Sequence, residues 1–233
     1  MLAPMRPELQ PVVRALKLKK DTLGGRTVHV GRIGTVDIVA TMTGMGTERA
    51  RRATTELLDA STFDHVVVLG VAGGIGHQIE LGDLVVPEVV VDRSSGSEHR
   101  QTALGNHVPA GTIATGDDLL DDEHEFARLI EGGVVALDME TSAVAQVCEA
   151  RGVPWSAFRG ISDRPRDGLV DQAVFGLGKE DGTADLAAVA KYLAADPRRA
   201  KVLSRLARDL QVATTAAAAA AIVAIRDTDF DAI

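Results

Sequence analysis

The sequence predicts an α/β protein, a three-layer α/β/α sandwich around a twisted mixed β-sheet. Short runs of β-branched and other apolar residues alternate with segments of helical periodicity, which is the pattern of layered α/β folds. The clearest unit is residues 134–163, where a strand, a helix and a second strand follow one another at the size of a parallel βαβ element. No Pro/Ser-rich linker interrupts the 233 residues, so we predict one domain over residues 1–233.

The first half of the chain is predicted to hold two helices and a series of short strands. Pro7 fits the first turn of a helix whose apolar residues recur at helical spacing. A second helix is predicted at residues 48–58, and strands at residues 27–30, 36–41, 66–69, 84–86 and 89–91. Only residues 1–3 can supply a strand before the first helix. The Gly-rich segment 43–47 is either a turn that brings backbone N–H groups close to a ligand oxygen or a plain tight turn. The Gly-rich segment 70–76 is interpreted as a turn whose glycines permit backbone geometry that side chains would block.

The second half alternates polar segments with further strands and helices. Residues 92–107 show neither a helical nor a strand period, and we predict a mobile surface loop. Strands are predicted at residues 111–115, 134–137 and 155–159, and helices at residues 140–152 and 185–193. Asp196, followed by Pro197, is expected to cap a last helix that runs to about residue 225. The Gly-rich segment 168–183 is interpreted as a candidate lid.

Composition and charge argue against several classes of function. The net charge of −8 and the pI near 5.2 argue against nucleic-acid binding, which needs a basic face. The single cysteine, Cys148, excludes an internal disulfide and indicates a buried thiol in a reducing, cytoplasmic compartment. We expect no membrane partner, because the longest nearly apolar run, residues 212–225, is too short to cross a bilayer. His99 and His107 lack the paired carboxylates of a metal site, so no metal or cofactor is expected.

Charged residues cluster at the ends of the last two predicted strands. Glu140, Arg159 and Asp163 stand where these strands stop, and ligands of open α/β sheets bind outside the carboxyl ends of the strands. The set is therefore a candidate site for acid–base chemistry, with an ordinary ion pair between Glu140 and Arg159 as the alternative. Glu8 lies near a helix N-terminus, where an acid is also favoured simply because it complements the helix dipole.

These residues resemble the nucleoside phosphorylase/nucleosidase superfamily, and in particular its 5′-methylthioadenosine/S-adenosylhomocysteine nucleosidases. The block D-M-E-T-S-A-V-A at residues 138–145 and the block R-G-I-S-D at residues 159–163 are similar to that family's signatures. The resemblance extends through the glycine run at residues 70–74 and the start at residues 5–8. It fades after roughly residue 165.

The resemblance implies hydrolysis of the N-glycosidic bond of a purine nucleoside, with three catalytic residues. Asp163 would protonate N7 of the base. Glu8, three residues after Met5, would take a proton from water. Arg159 would orient that water or Glu140.

Substrate contacts are implied for a further set of residues: Glu140, Met139, Leu119, Leu120, Ala72, Gly73 and Met45. Glu140 would bind the ribose hydroxyls, and Met139 would pack on the ribose face. Leu119 stands where relatives commonly carry an aromatic residue that stacks on the purine, so it offers less contact area. Backbone groups at Leu120 would read the edge of the base.

The main alternative reaction is phosphorolysis, in which phosphate replaces water. Phosphorylase relatives carry an arginine at the position of Val68, which leaves Arg32 and Arg49 as possible phosphate ligands. We therefore favour hydrolysis.

Two further alternatives stay open at this point. A futalosine-type hydrolase would use Arg164 or Arg166 to meet a substrate carboxylate. A catalytically silent nucleoside-binding protein is favoured by the short first strand and by Val71, where many relatives carry a hydroxyl residue. The resemblance also implies a homo-oligomer, with a dimer favoured.

Overall fold

A computed structural model describes residues 1–120, 122–167, 172–177, 179, 185–196 and 198–230. The strands are β1 (Leu2–Ala3), β2 (Lys19–Leu23), β3 (Arg26–Ile33), β4 (Val36–Met42), β5 (Val66–Gly74), β6 (Leu84–Val85), β7 (Val89–Asp92), β8 (Glu98–Arg100), β9 (Thr112–Thr115), β10 (Val134–Asp138) and β11 (Trp155–Asp163). The helices are α1 (Arg6–Ala15), α2 (Thr47–Ala60), α3 (Glu123–Glu131), α4 (Thr141–Ala150), α5 (Gln172–Phe175), α6 (Leu186–Ala195) and α7 (Arg199–Arg226). The predicted α/β/α architecture with a mixed sheet is confirmed.

The sheet is organised around β5. Its strand order is β2-β3-β4-β1-β5-β10-β9-β7-β8. Outside this order, β11 also pairs with β5, and β6 pairs with β11. The strands β1, β4, β5 and β11 run parallel to one another, so their carboxyl ends meet at one edge. The strand β10 pairs antiparallel with the end of β5, with Leu137 opposite Gly73. Because β10 runs back along the end of β5, its own last residue, Asp138, lies near the carboxyl ends of the parallel strands.

Both faces of the central strands are covered by helices, which explains their unbroken apolar runs. In β5, Val66 and Val68 pack with residues of α2 and α4, whereas Val67 and Leu69 pack with residues of α1 and α7. The period of two residues along the strand thus divides the apolar side chains between two cores.

The glycine run after Leu69 was predicted as a turn, and this prediction was wrong. The strand β5 continues through Gly74, and it pairs with β11 as far as Gly73 opposite Asp163. A Cβ atom on Gly70 would lie 2.3 Å from Glu8 Oε1 and 2.7 Å from Arg159 Nη1. Gly70 therefore has no side chain because charged groups lie directly on the strand at that position.

The prediction of a mobile loop over residues 92–107 was also wrong. Residues Glu98–Arg100 form β8 and pair with β7. Within it, buried His99 lies 2.7 Å from a carboxylate oxygen of Glu149, through its Nδ1 atom. The backbone N–H of Thr102 donates to the carbonyl of Trp155 at 2.8 Å. These long-range contacts attach a polar segment to the sheet and to α4.

Helix α7 confirms the predicted long C-terminal helix. The helix is long and apolar enough to span a membrane by length and composition, whereas the apolar run predicted from the sequence was shorter. In α7, 44% of the most apolar window is buried inside the protein. It packs on β11, β5 and α1. Its closest approach is at Gly160, where a Cβ atom would lie 2.1 Å from the carbonyl oxygen of Ala213. The candidate lid at residues 168–183 falls largely outside the described residues.

Candidate active site

The carboxyl ends of β5 and β11 open into one cavity. Its lining includes nine of the ten residues predicted for the site: Asp163, Glu8, Glu140, Met139, Leu119, Leu120, Ala72, Gly73 and Met45. The tenth, Arg159, is fully buried beneath the cavity, with 0% of its side chain exposed. The fold thus gathers residues that are up to 155 positions apart in the chain, counted from Glu8 to Asp163.

Glu8 is buried at the start of α1 and held by two backbone donors. The N–H of Met5 donates to its Oε2 atom at 2.8 Å, and the N–H of Val71 donates to its Oε1 atom at 2.9 Å. Burial raises the pKa of Glu8 from 4.5 to about 7, although Arg159 and the two N–H groups oppose that rise. The pKa of Glu8 therefore lies in the neutral range, where a general base is most effective.

Arg159 is positioned chiefly by Asp138, a residue that sequence reasoning did not assign to the site. The two side chains form a fully buried ion pair through Nη2 and Oδ2. Thr141 Oγ1 accepts from Nε and Nη2 of Arg159 at 3.1 and 2.7 Å, and Thr115 Oγ1 donates to Asp138 Oδ1 at 2.5 Å. Burial alone would lower the pKa of Arg159, but the carboxylates of Asp138, Glu140 and Glu8 outweigh it and raise the pKa. The guanidinium stays charged.

Glu140 joins the same buried cluster at the start of α4. Its Oε1 atom accepts the backbone N–H of Gly46 at 3.0 Å, and its Oε2 atom lies 3.5 Å from Arg159 Nη2. Burial raises the pKa of Glu140 well above its ordinary value, against the effect of Arg159. The contact between Glu140 and Arg159, which the alternative interpretation treated as an ordinary ion pair, is present, and it is longer than the pair formed by Asp138.

Asp163 ends β11 beside the glycine run. Ser162 Oγ donates to its Oδ1 atom at 2.6 Å. Its Oδ2 atom lies 3.3 Å from the point that a Cβ on Gly73 would occupy, so the carboxyl packs over the glycine. Burial raises the pKa of Asp163, the Ser162 hydrogen bond opposes this, and Asp167 adds to it. The group is shifted toward the protonated form that a general acid needs.

Several lining residues were missed from the sequence, among them Arg93, Asp118, Phe126, Ser162 and Pro165. Phe126 was missed because α3 was not predicted. A local signal existed, since Phe126, Leu129 and Ile130 have helical spacing and Asp122 caps the helix by accepting the N–H of His124 at 2.8 Å. No comparable local signal identifies Arg93, which lies at the end of β7.

The arginines considered for the alternative reactions have other surroundings. Arg32 of β3 pairs with Asp37 of β4 at an exposed site, with 68% and 74% of the two side chains accessible. Arg164 pairs with Asp167 at 3.1 Å and also with Glu80. Neither Arg32 nor Arg49 is among the described residues that line the cavity. Position 68 is a buried valine in the core shared with α2 and α4.

A sequence profile of the phosphorylase superfamily matches residues 1–104 and 96–210 of the chain. The chain belongs to the phosphorylase superfamily. Within the superfamily, it is 31% identical over 169 residues to the 5′-methylthioadenosine/S-adenosylhomocysteine nucleosidase of Chromohalobacter salexigens, an alignment that covers 60% of this chain and 72% of the relative. It is 27% identical over 199 residues to the enzyme of that name from Colwellia psychrerythraea, covering 70% of this chain and 82% of the relative.

Solved structures of the superfamily share the fold. The futalosine hydrolase of Helicobacter pylori has a TM-score of 0.71 and 18% identity, and the match covers 97% of this chain and 96% of the other. The 5′-methylthioadenosine/S-adenosylhomocysteine nucleosidase of Neisseria meningitidis, in complex with methylthio-immucillin-A, has a TM-score of 0.72 and 19% identity over 97% of both chains.

Proposed function

We propose that this phosphorylase-superfamily member hydrolyses the N-glycosidic bond of a purine nucleoside similar to 5′-methylthioadenosine or S-adenosylhomocysteine. The products are the free base and the free sugar. The observation that carries the proposal is the presence of two carboxyl groups with raised pKa values, Glu8 and Asp163, in the lining of one cavity. Hydrolysis of this bond needs an acid for the leaving base and a base for the attacking water.

Asp163 is the proposed acid. As the glycosidic bond breaks, the proton of its carboxyl passes to N7 of the purine, so the base leaves as a neutral molecule. The raised pKa keeps this proton in place at a higher pH than an exposed aspartate would allow. Ser162 fixes the orientation of the carboxyl through the hydrogen bond to Oδ1.

Glu8 is the proposed base, and Arg159 and Glu140 support the sugar side of the reaction. Glu8 takes one proton of the water whose oxygen bonds to the anomeric carbon. Arg159 Nη1 and Glu8 Oε1 both lie above Gly70, where the guanidinium orients the water. Glu140 accepts hydrogen bonds from the ribose hydroxyls, and it stabilises the cation-like sugar when its carboxyl is ionised, the form that Arg159 favours. No step requires a metal or a cofactor.

Water rather than phosphate is the proposed nucleophile. A phosphate dianion would have to be paired if it were buried, and Arg32 is engaged at an exposed site on β3. Phosphate also needs no general base, whereas Glu8 has the pKa of one. We expect the same rate of base release in phosphate buffer and in phosphate-free buffer, measured by mass spectrometry on a small panel of nucleosides. A sugar 1-phosphate as the main product would contradict hydrolysis.

We further propose a cytoplasmic homodimer. The dimer rests on the family resemblance. The compartment rests on the single cysteine of the chain, Cys148, which is a buried free thiol. Burial raises the pKa of Cys148 to about 12, so the thiol stays protonated and unreactive.

A further inference from the structure

We propose that Phe126 stacks on the base of the substrate, a role that rests on the proposed function. Phe126 is the one aromatic residue among the described residues that line the cavity. The same lining includes Leu119 and Leu120 from the segment before α3. Leu119 offers no ring at the position where an aromatic residue was expected, and Phe126 supplies one from a different element.

Phe126 differs from an ordinary core residue in how its helix, α3, is packed. None of the residues of α3 is fully buried. The helix rests on Ile75, Ala114 and Val134 through a small apolar cluster that also includes Leu129 and Ile130. Leu129 and Ile130 attach the helix without lining the cavity, whereas Phe126 does both. The ring of Phe126 is therefore partly buried and also borders the ligand space.

An ion pair next to Phe126 fixes the position of its helix. Arg93 Nη2 lies 2.9 Å from Glu125 Oε1, and Arg93 Nε donates to the same oxygen at 3.3 Å. The side chain of Arg93 is only 11% exposed. It runs along Gly116, where a Cβ atom would lie 2.7 Å from Nη1, and Nη1 donates to the carbonyl of Asp118 at 3.4 Å. Arg93 thus joins β7, residues 116–118 and α3, the helix that carries Phe126.

The physical reason for an aromatic residue here is the flat face of a purine. Stacking on an aromatic side chain contributes about 1–3 kcal/mol per base, and any base has such a face. The contact is therefore selective for an aromatic base and tolerant of its substituents. Recognition of those substituents is left to groups at the edge of the base.

The test measures binding of free adenine and free hypoxanthine by titration calorimetry, together with nucleoside turnover. We expect Phe126→Ala to weaken the binding of whichever of the two bases the wild type binds by about 5- to 150-fold. This range is the stacking energy expressed as a ratio of dissociation constants. Phe126→Leu keeps the apolar contact with the cluster and removes the ring, so it should fold normally and bind several-fold more weakly. Leu129→Ala is the matched control, since it perturbs the same helix and cluster without touching the cavity, and its affinity should stay close to that of the wild type.

A rescue variant tests the stacking role itself. Leu119→Phe introduced into the Phe126→Ala protein restores a ring to the cavity and should recover most of the affinity. If the wild type binds and turns over normally, and Phe126→Ala and Leu129→Ala change the affinity equally, the stacking role of Phe126 is overturned while the proposed function stands. A wild type that binds neither base and releases none would overturn the proposed function, and the role of Phe126 with it.

Discussion

At the scale of single residues, the site holds three carboxyl groups and one guanidinium out of contact with bulk water. Glu8, Asp138 and Glu140 surround Arg159, and all four side chains are buried. One positive charge cannot balance three negative charges, and an unbalanced buried charge is costly. The cluster therefore favours protonation of the carboxyls that are less tightly paired. Asp138 forms the direct ion pair with Arg159. Burial raises the pKa values of Glu8 and Glu140 in the same cluster.

Removal of the proposed acid should affect turnover far more than binding. We expect Asp163→Asn to lower turnover by about 10²–10⁴-fold, the usual contribution of a positioned acid, because an amide cannot transfer a proton. Affinity for an adenosine-like ligand should change much less, since Asn keeps the shape and can still accept from Ser162. Single-turnover kinetics beside a binding titration separates the two effects. Near-normal turnover in a folded variant would remove Asp163 from the mechanism.

The pKa of Glu8 also has a consequence for stability. The folded state holds the proton of Glu8 up to about pH 7, whereas the unfolded chain releases it near pH 4.5. The folded state therefore binds more protons between these values, and the contribution of Glu8 to the free energy of unfolding falls by about 3 kcal/mol as the pH rises through that window.

Glu8→Gln should lack this pH dependence. We expect the difference in unfolding free energy, wild type minus variant, to fall between pH 4.5 and pH 7 when measured by urea denaturation. His65, whose pKa is lowered to about 4 by burial, acts in the opposite direction. It is present in both proteins, so its effect cancels in the difference. A difference that stays constant with pH would show that Glu8 titrates normally in the folded protein.

At the scale of the elements, β5 and β11 form the platform on which the site and helix α7 both depend. The two strands pair in parallel from Val66 opposite Trp155 to Gly73 opposite Asp163. One end of this ribbon holds the acidic cluster. Gly160, on the same ribbon, permits the backbone of α7 to approach β11 at Ala213. Two positions of the ribbon thus require glycine for separate steric reasons. Gly70 lies beneath Glu8 and Arg159, and Gly160 lies beneath α7.

We expect Gly160→Ala to destabilise the fold through α7 and not through the site. The new methyl group would lie 2.1 Å from the carbonyl oxygen of Ala213, so the helix must move away from the strand. The cost of such overpacking is about 1–3 kcal/mol and can exceed that range, and thermal or urea unfolding measures it. Gly132→Ala, at the end of α3, is the control, because its Cβ atom would meet backbone oxygens no closer than 3.3 Å. Equal stabilities for the two variants would contradict this account of the packing.

At the scale of the whole molecule, the assembly remains a prediction, as does one domain over residues 1–233. We expect sedimentation velocity at micromolar concentration to give the mass of two chains of 24.5 kDa each. A monomer at that concentration would contradict the proposed dimer without bearing on the chemistry of Glu8 and Asp163. The same measurement with an adenosine-like ligand present would show whether binding changes the assembly.

The sequence by itself determined the layered fold and nine of the residues that line the cavity. Apolar periodicity is a local property, so it revealed β5, β10, α4 and α7, and short signature blocks identified residues such as Glu140 and Asp163. Apolar periodicity did not reveal β2 or β8. The residues of β2 are almost all exposed, and β8 consists of three polar residues, so neither strand has an apolar pattern.

Only the tertiary structure decided which groups share the buried space. The N–H of Val71 reaches Glu8 across 63 positions, and the N–H of Gly46 reaches Glu140 across 94. The partnership of Asp138 with Arg159 and the entry of Phe126 into the cavity likewise depend on how the strands are ordered. Charge pairing and desolvation act through space between residues far apart in the chain, so no local pattern could assign these partners or the pKa values that follow from them.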